Sequence, residues 1–180
     1  MDKSSFRAEQ IERLEDFFQT SQSIKETAEL LENLANSSSL ASAQKIGVSI
    51  SDDLQMPSKK LIAKLRSLKK DIYLARPTKN NQIDFVFWPE TINLPESMQE
   101  LLQFNPTVID NSLDLIITPG MAFSTSGNYY VGIGVGNFDF HLNRYQTKSI
   151  GLAYSAMLFE KPVWDISMLD VPVDEIITTD

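Results

Sequence analysis

The sequence predicts an α/β fold, a mostly parallel open sheet with helices on both faces and a pair of helices at the N-terminus. The first forty residues contain no glycine or proline and carry apolar residues at helical spacing. From residue 44 onward, β-branched runs alternate with a helical pattern, which is typical of parallel strands joined by helices. Of the 180 residues, 42% are hydrophobic, which is enough for one core.

Two amphipathic helices are predicted in residues 1–40. The first has Phe6, Ile11, Leu14, Phe17 and Phe18 on one face. The second has Ile24, Ala28, Leu31 and Leu34 on one face. Thr20 and Ser21 lie between the two patterns and predict a break with an N-cap. A polar linker over residues 36–39 is expected to follow.

Six strands and one well-defined helix are predicted in the core, residues 44–180. The strands cover 45–51, 71–75, 83–88, 113–118, 148–154 and 175–178. The third is assigned to a sheet edge, because it alternates apolar and polar residues at its start and ends in Pro89. Pro57 begins a helix over 57–70. Together these elements predict one domain over residues 1–180 with a three-layer, Rossmann-like core.

Composition excludes several kinds of site. The chain has no cysteine, which excludes disulfides, thiolate nucleophiles and Cys-ligated metals, and His141 is its only histidine. A net charge of −8 argues against nucleic-acid binding and against an anionic membrane surface. There is no run of about 20 apolar residues and no apolar signal region near the N-terminus. We therefore expect a cytoplasmic monomer without a membrane span.

The glycine-rich segment over residues 127–142 is the most informative local pattern. Gly132, Gly134 and Gly136 alternate, and Asp139 follows them. Glycines at a strand-to-helix turn let backbone N–H groups approach a phosphate, and an aspartate just beyond is suited to Mg²⁺. The segment is neither a Walker A loop nor GxGxxG, so an ordinary glycine-rich β-turn is an equal alternative.

Other candidate contacts lie where open parallel sheets bind ligands, beyond the C-terminal ends of strands. Arg76 follows the second predicted strand, and Lys3 and Arg7 lie one helical turn apart. The alternatives are a polar loop for Arg76 and a solvated helix face for Lys3 and Arg7. For Asp170, the alternative is an ordinary turn residue.

Two motifs, together with the order of the segments around them, resemble a known enzyme family. The first is DLIITPGMAF at residues 114–123, and the second is YVGIGVGNFDFHL at residues 130–142. Lys3 and Arg7 match an N-terminal K-x-x-x-R, and residues 46–57, Arg76 and residues 170–178 match further segments in the same order. Over nearly its whole length the chain resembles the 5-formyltetrahydrofolate cyclo-ligases, also called 5,10-methenyltetrahydrofolate synthetases.

This resemblance implies an enzyme that uses ATP and Mg²⁺ to convert 5-formyltetrahydrofolate to 5,10-methenyltetrahydrofolate, releasing ADP and phosphate. A small-molecule folate would be its partner. The ATP contacts implied by position are Lys3, Arg7, Arg76, Gly132, Gly134, Val135, Gly136, Asn137 and Phe138. The implied folate contacts are Ile50, Gln55, Ile133, Gly134, Val135, Gly136 and Asn137, and the implied Mg²⁺ ligands are Asp139 and Asp170. The reaction needs placement and charge stabilisation, so no covalent catalyst is assigned.

The chain departs from the family pattern at the implied site. Tyr130 and Phe140 stand where the motif has arginines, Val135 replaces a glycine, and Gln55 replaces a glutamate. These departures cluster at the site and spare the scaffold, which suggests reduced activity. They also support a second hypothesis, a non-catalytic homologue that binds a folate or nucleotide, or a related enzyme with an altered substrate. Formylfolate-dependent ATP hydrolysis distinguishes these hypotheses.

Overall fold

Six α-helices and nine strands make up the part of the chain that the computed structural model describes, residues 1–50, 53–134 and 136–179. The helices are α1 (Lys3–Phe18), α2 (Ser21–Ala35), α3 (Ser38–Ala41), α4 (Ser58–Ser67), α5 (Met98–Gln103) and α6 (Asn137–Tyr145). The strands are β1 (Lys45–Val48), β2 (Asp71–Pro77), β3 (Ile83–Phe87), β4 (Leu115–Thr118), β5 (Ala122–Ser124), β6 (Tyr130–Val131), β7 (Ser149–Ala153), β8 (Leu158–Phe159) and β9 (Glu175–Thr178).

The central sheet has the strand order β3-β2-β1-β4-β7-β9. Its strands pair in parallel, apart from β3, which runs antiparallel to β2. The predicted mostly parallel sheet and the edge position of β3 are therefore confirmed. The predicted strand over 45–51 ends earlier, at Val48, and residues 51 and 52 lie outside the described ranges.

The sheet is covered on both faces, as the sequence predicts. Ile72 and Leu74 of β2 pack into the larger apolar cluster, which also contains residues of α1, α2 and α4. Tyr73 and Ala75 point to the opposite face and pack with Leu142 of α6. This alternation follows from the strand geometry, in which successive side chains project to opposite faces. The carboxyl ends of the strands therefore open between two helical layers.

The N-terminal helices begin where the sequence predicts, but each predicted inward face includes exposed residues, Ile11 on the first and Ile24 and Ala28 on the second. Thr20 caps α2 by accepting a hydrogen bond from the Ser23 amide. Ile24, predicted to face inward, is exposed, and the buried face instead includes Glu26 and Thr27. This prediction was wrong because both buried polar side chains have hydrogen-bond partners after β7, which an apolar pattern does not reveal.

A small second sheet, with the order β6-β5-β8, was not predicted. Its strands are two or three residues long, too short for an alternating pattern to be recognised. Its strand β6 carries Tyr130, which lies within the glycine-rich segment, two residues before Gly132. The expected polar linker over 36–39 was wrong in part, because α3 begins within it. No helix in the described ranges is long and apolar enough to cross a bilayer.

Candidate active site

A cavity of about 850 Å³ opens at the carboxyl ends of β1, β2 and β4. Side chains and backbone from α1, the segment after β1, β6, the glycine-rich segment, α6 and a loop over residues 165–170 line it. This is the edge at which open α/β sheets bind ligands. Its size falls within the range of small-molecule sites.

Most residues that the sequence assigns to ATP, folate or metal are brought together in this cavity. Those that line it are Lys3, Arg7, Ile50, Gln55, Gly132, Ile133, Gly134, Gly136, Asn137, Phe138, Asp139 and Asp170. Arg76 is not among the described lining residues; its guanidinium donates to the Phe104 carbonyl at 3.3 Å, while its neighbours on β2 face the cavity. Val135 lies outside the described ranges. The ligand roles of all these residues stay predictions.

Lys3 and Asp170 form an ion pair on the cavity wall. The Lys3 Nζ lies 2.5 Å from the Asp170 Oδ1, and both side chains are largely shielded from solvent. Ser167 adds hydrogen bonds to the same carboxylate from its backbone N–H, at 2.9 Å, and from its hydroxyl, at 3.2 Å. Burial opposes ionisation of Asp170, but these hydrogen bonds outweigh it and hold the pKa below its usual range. Asp170 is therefore an anion at neutral pH.

Asp139 lies in the first turn of α6 and gives the cavity another carboxylate, besides those of Asp165 and Asp170. Its Oδ1 accepts a hydrogen bond from the Val171 N–H at 2.9 Å, which ties α6 to the chain just after Asp170. Burial raises the pKa of Asp139, and the negative charge of Asp170 raises it further, while the Val171 bond partly opposes the shift. Two neighbouring carboxylates that repel each other are suited to bind a cation between them.

Arg7 holds the glycine-rich segment in place. Its Nε donates to the Gly132 carbonyl at 2.9 Å, and its Nη2 donates to the Gly134 carbonyl at 3.2 Å. The planar guanidinium is suited to such two-point contacts. In the ligand-free protein, Arg7 therefore shapes the segment that the sequence predicts to wrap the phosphates.

The N-terminus of α6 faces the cavity without a side-chain cap among the described residues. Its N-cap is Gly136, with φ +87°, a left-handed conformation that glycine adopts without strain. The Oδ1 of Asn137 is buried and has no hydrogen-bond partner in the described part of the chain. Free N–H groups and the helix dipole favour an anion at this point.

Mg²⁺ is compatible with the oxygen ligands of this cavity. The described residues contain no group of three or more acidic or histidine side chains that could hold a metal. Mg²⁺ in phosphoryl-transfer sites is held by one or two carboxylates together with substrate phosphates and water. Asp139 and Asp170 supply that number, so the donor set fits Mg²⁺ carried with a phosphorylated substrate.

The structure adds residues to the cavity that sequence reasoning did not assign. Ile166 and Leu169 line it from the loop over 165–170, and this loop has no periodic pattern to reveal its position. Tyr130 lines it from β6, and the sequence marked it only as a departure from the family motif. His141 is buried between Phe85 and Tyr145 and is not among the described lining residues.

Comparison with known proteins gives one family and a shared fold. The family model described as the 5-formyltetrahydrofolate cyclo-ligase family matches residues 1–179. No curated protein matches the chain.

Two solved structures share the fold. The NMR structure of Aquifex aeolicus 5,10-methenyltetrahydrofolate synthetase has a TM-score of 0.73 and 22% identity, covering 99% of this chain and 90% of that one. The 5,10-methenyltetrahydrofolate synthetase from Mycoplasma pneumoniae has a TM-score of 0.70 and 19% identity, covering 98% of each chain. Because the family model matches almost every residue, the chain belongs to the 5-formyltetrahydrofolate cyclo-ligase family.

Proposed function

We propose that this protein converts 5-formyltetrahydrofolate to 5,10-methenyltetrahydrofolate with ATP and Mg²⁺, releasing ADP and phosphate. Family membership supports the reaction class. The observation that carries the proposal is the arrangement of Asp139, Asp170 and Lys3 beside the N-terminus of α6, which no described side chain caps. It combines two oxygen ligands for a cation with positive groups for phosphates.

The proposed chemistry needs no nucleophile from the protein. The formyl oxygen attacks the γ-phosphorus of ATP, the bond to the ADP oxygen breaks, and a phosphorylated imidate forms. The N10 amine then adds to the formyl carbon, which closes the ring, and loses its proton. The C–O bond breaks, inorganic phosphate leaves with the former formyl oxygen, and the C=N bond of the methenyl product forms. Positioning and charge stabilisation are the main requirements of such a transfer.

The residues of the cavity divide this work among them. The carboxylates of Asp139 and Asp170 would hold Mg²⁺, which would supply neutralisation of the phosphate charge. Lys3, which pairs with Asp170 in the ligand-free protein, is placed to contact a phosphate as well. Arg7 fixes the backbone of the glycine-rich segment along which the phosphates would lie. Gln55 and Ile50 line the cavity from the segment after β1 and would face the folate ring.

A spectrophotometric turnover assay tests this proposal. Purified protein is mixed with 5-formyltetrahydrofolate, ATP and Mg²⁺, and the absorbance of the methenyl product is followed. We expect product only when both ATP and Mg²⁺ are present. Absence of product from folded protein would refute the enzymatic proposal.

A non-catalytic homologue that binds the same ligands is the second candidate. The neutral side chains of Tyr130 and Phe140 on the cavity wall favour it, because neither supplies positive charge to a triphosphate. In that case 5-formyltetrahydrofolate or ATP would raise the melting temperature without turnover. The assay above, combined with ligand-induced melting shifts, separates the two candidates.

A further inference from the structure

Tyr130 presents a buried hydroxyl without a partner at the wall of the cavity. Only 6% of the residue is exposed. Its ring stacks on Phe123 of the paired strand β5. The phenolic oxygen is buried and has no partner that meets hydrogen-bond geometry within the described ranges, although the Asp139 carboxylate lies beside it. The side chain nevertheless lines the cavity.

Such a hydroxyl destabilises the ligand-free protein. A buried polar group without a hydrogen bond loses its water and gains nothing in return. Phenylalanine would occupy the same space without this cost. Tyr154, which is fully buried, has Thr27 as a hydroxyl partner at 2.8 Å. The unpartnered donor of Tyr130 therefore indicates a partner that arrives with a ligand.

The surroundings of Tyr130 indicate the chemistry of that partner. A tyrosine hydroxyl donates one hydrogen bond, and the carboxylates of Asp139 and Asp170 lie near this one. The ring edge lies 3.8 Å from the position that a Cβ on Gly132 would take. The ring of Tyr130 therefore packs beside Gly132, and its hydroxyl lies close to the two carboxylates.

We propose that the Tyr130 hydroxyl donates a hydrogen bond to a phosphoryl oxygen of the nucleotide, which makes Tyr130 a neutral nucleotide-binding residue. This inference rests on the proposed function, because it requires a nucleotide in the cavity. A carboxylate of the folate offers the same acceptor chemistry. The position of Tyr130 next to Gly132 and Asp139 favours the phosphoryl oxygen, because the phosphates are expected along the glycine-rich segment.

The test compares Tyr130→Phe with Tyr129→Phe, which removes a phenol from the preceding residue. Titration calorimetry measures the binding of a non-hydrolysable ATP analogue with Mg²⁺, and separately of 5-formyltetrahydrofolate. We expect Tyr130→Phe to weaken nucleotide binding about tenfold and to leave folate binding unchanged. Tyr129→Phe should leave both affinities at the wild-type value. Because the lost group is neutral, the salt dependence of nucleotide affinity should stay the same.

Thermal unfolding of the ligand-free variants separates ligand binding from a structural role. Tyr130→Phe should melt at the wild-type temperature or above it, since a desolvated hydroxyl is removed whose contact with the Asp139 carboxylate does not reach hydrogen-bond geometry. A lowered melting temperature with unchanged nucleotide affinity would assign the hydroxyl to the fold and overturn the inference. Loss confined to folate binding would overturn the nucleotide assignment. If the wild-type protein binds no nucleotide, the proposed function fails and this inference fails with it.

Discussion

Two buried polar clusters of this chain are built in opposite ways. Beneath α2, the carboxylate of Glu26 accepts hydrogen bonds from the Ser155 N–H at 2.8 Å and from its hydroxyl at 2.6 Å. The Thr27 hydroxyl donates to the Ser23 carbonyl and is therefore left to accept from Tyr154. At the cavity, by contrast, buried oxygens of Tyr130 and Asn137 have no partner in the described part of the chain.

We interpret the satisfied cluster beneath α2 as structural and the unsatisfied groups at the cavity as ligand-binding. Burial raises the pKa of Tyr154 to about 12, and it also raises the pKa of Tyr130, so both phenols stay protonated donors. Tyr154 uses its donor to join α2 to the chain after β7. The Tyr130 hydroxyl has no partner among the described residues, so its donor remains available to a ligand in the cavity. A polar group satisfied inside the fold contributes stability, whereas we expect an unsatisfied one on the wall of the cavity to meet a ligand.

The largest expected effect comes from Asp139→Asn, which removes a charge from the cavity and no volume. We expect Mg²⁺-dependent turnover to fall by about 100-fold or more, equivalent to about 2.7 kcal/mol, because one of two metal ligands is weakened. The ligand-free protein should stay as stable or become more stable, since a buried carboxylate is neutralised. Turnover assays and thermal unfolding measure the two effects.

Asp110→Asn is the control for this substitution. Asp110 pairs with Lys45 at 2.6 Å outside the cavity, so its loss should leave turnover unchanged and cost at most about 1 kcal/mol. Wild-type turnover in Asp139→Asn would contradict the claim that the cluster at the cavity serves the reaction.

Glu26→Ala tests the other cluster and should have the opposite profile. It leaves the backbone N–H and hydroxyl of Ser155 without their acceptor, and we expect a loss of about 2–3 kcal/mol in the free energy of unfolding. The KM values for ATP and folate should change little at temperatures where the variant is folded. Denaturant unfolding measures the loss. A variant as stable as the wild type would show that this cluster does not support the fold.

Arg7→Lys tests whether the glycine-rich segment needs a two-point contact. Lysine keeps the charge but cannot hold the Gly132 and Gly134 carbonyls together. We expect the KM for ATP to rise about tenfold, equivalent to about 1.4 kcal/mol, with a smaller change in stability. Arg13→Lys is the matched control on the same helix, because Arg13 lies over the Phe159 ring and outside the cavity. Equal KM values for the two variants would contradict a role for Arg7 in shaping the segment.

The smallest effect concerns the pH dependence of α6, which carries Asp139. Burial lowers the pKa of His141 below its ordinary value of 6.5, and its Nε2 is buried without a partner in the described chain. The neutral form is favoured in the folded state, so stability is present above the ordinary pKa and is lost as pH falls through the lowered one. Thermal unfolding of the wild type and His141→Phe should diverge below about pH 6.5. Parallel pH profiles would contradict this assignment.

Much of the fold was predictable because helices and strands each impose a characteristic spacing of apolar residues on the sequence. The six strands of the central sheet and the start of α4 at Ser58, directly after Pro57, follow from such patterns. The buried face of α2 did not follow from them. Glu26 and Thr27 are buried through hydrogen bonds to residues more than a hundred positions away, and a local apolar pattern carries no information about such partners.

The residues of the cavity could likewise be predicted only in part. Resemblance to a family groups Lys3, Arg7, Asp139 and Asp170 by their positions in the sequence, and all four line one cavity in the fold. The loop over 165–170 and the unpartnered hydroxyl of Tyr130 depend on tertiary packing, which no local pattern encodes. For the same reason, Arg76 could be placed at a strand end, whereas its contact with the Phe104 carbonyl could not be predicted.

A crystal structure of the protein with Mg²⁺, a non-hydrolysable ATP analogue and 5-formyltetrahydrofolate tests the central claim most directly. We predict that the phosphates lie along the glycine-rich segment at the N-terminus of α6, with Mg²⁺ bound to Asp139 and Asp170. The Tyr130 hydroxyl should lie within about 3 Å of a phosphoryl oxygen. A nucleotide bound outside the cavity, or one that leaves Tyr130 still without a partner, would contradict the account.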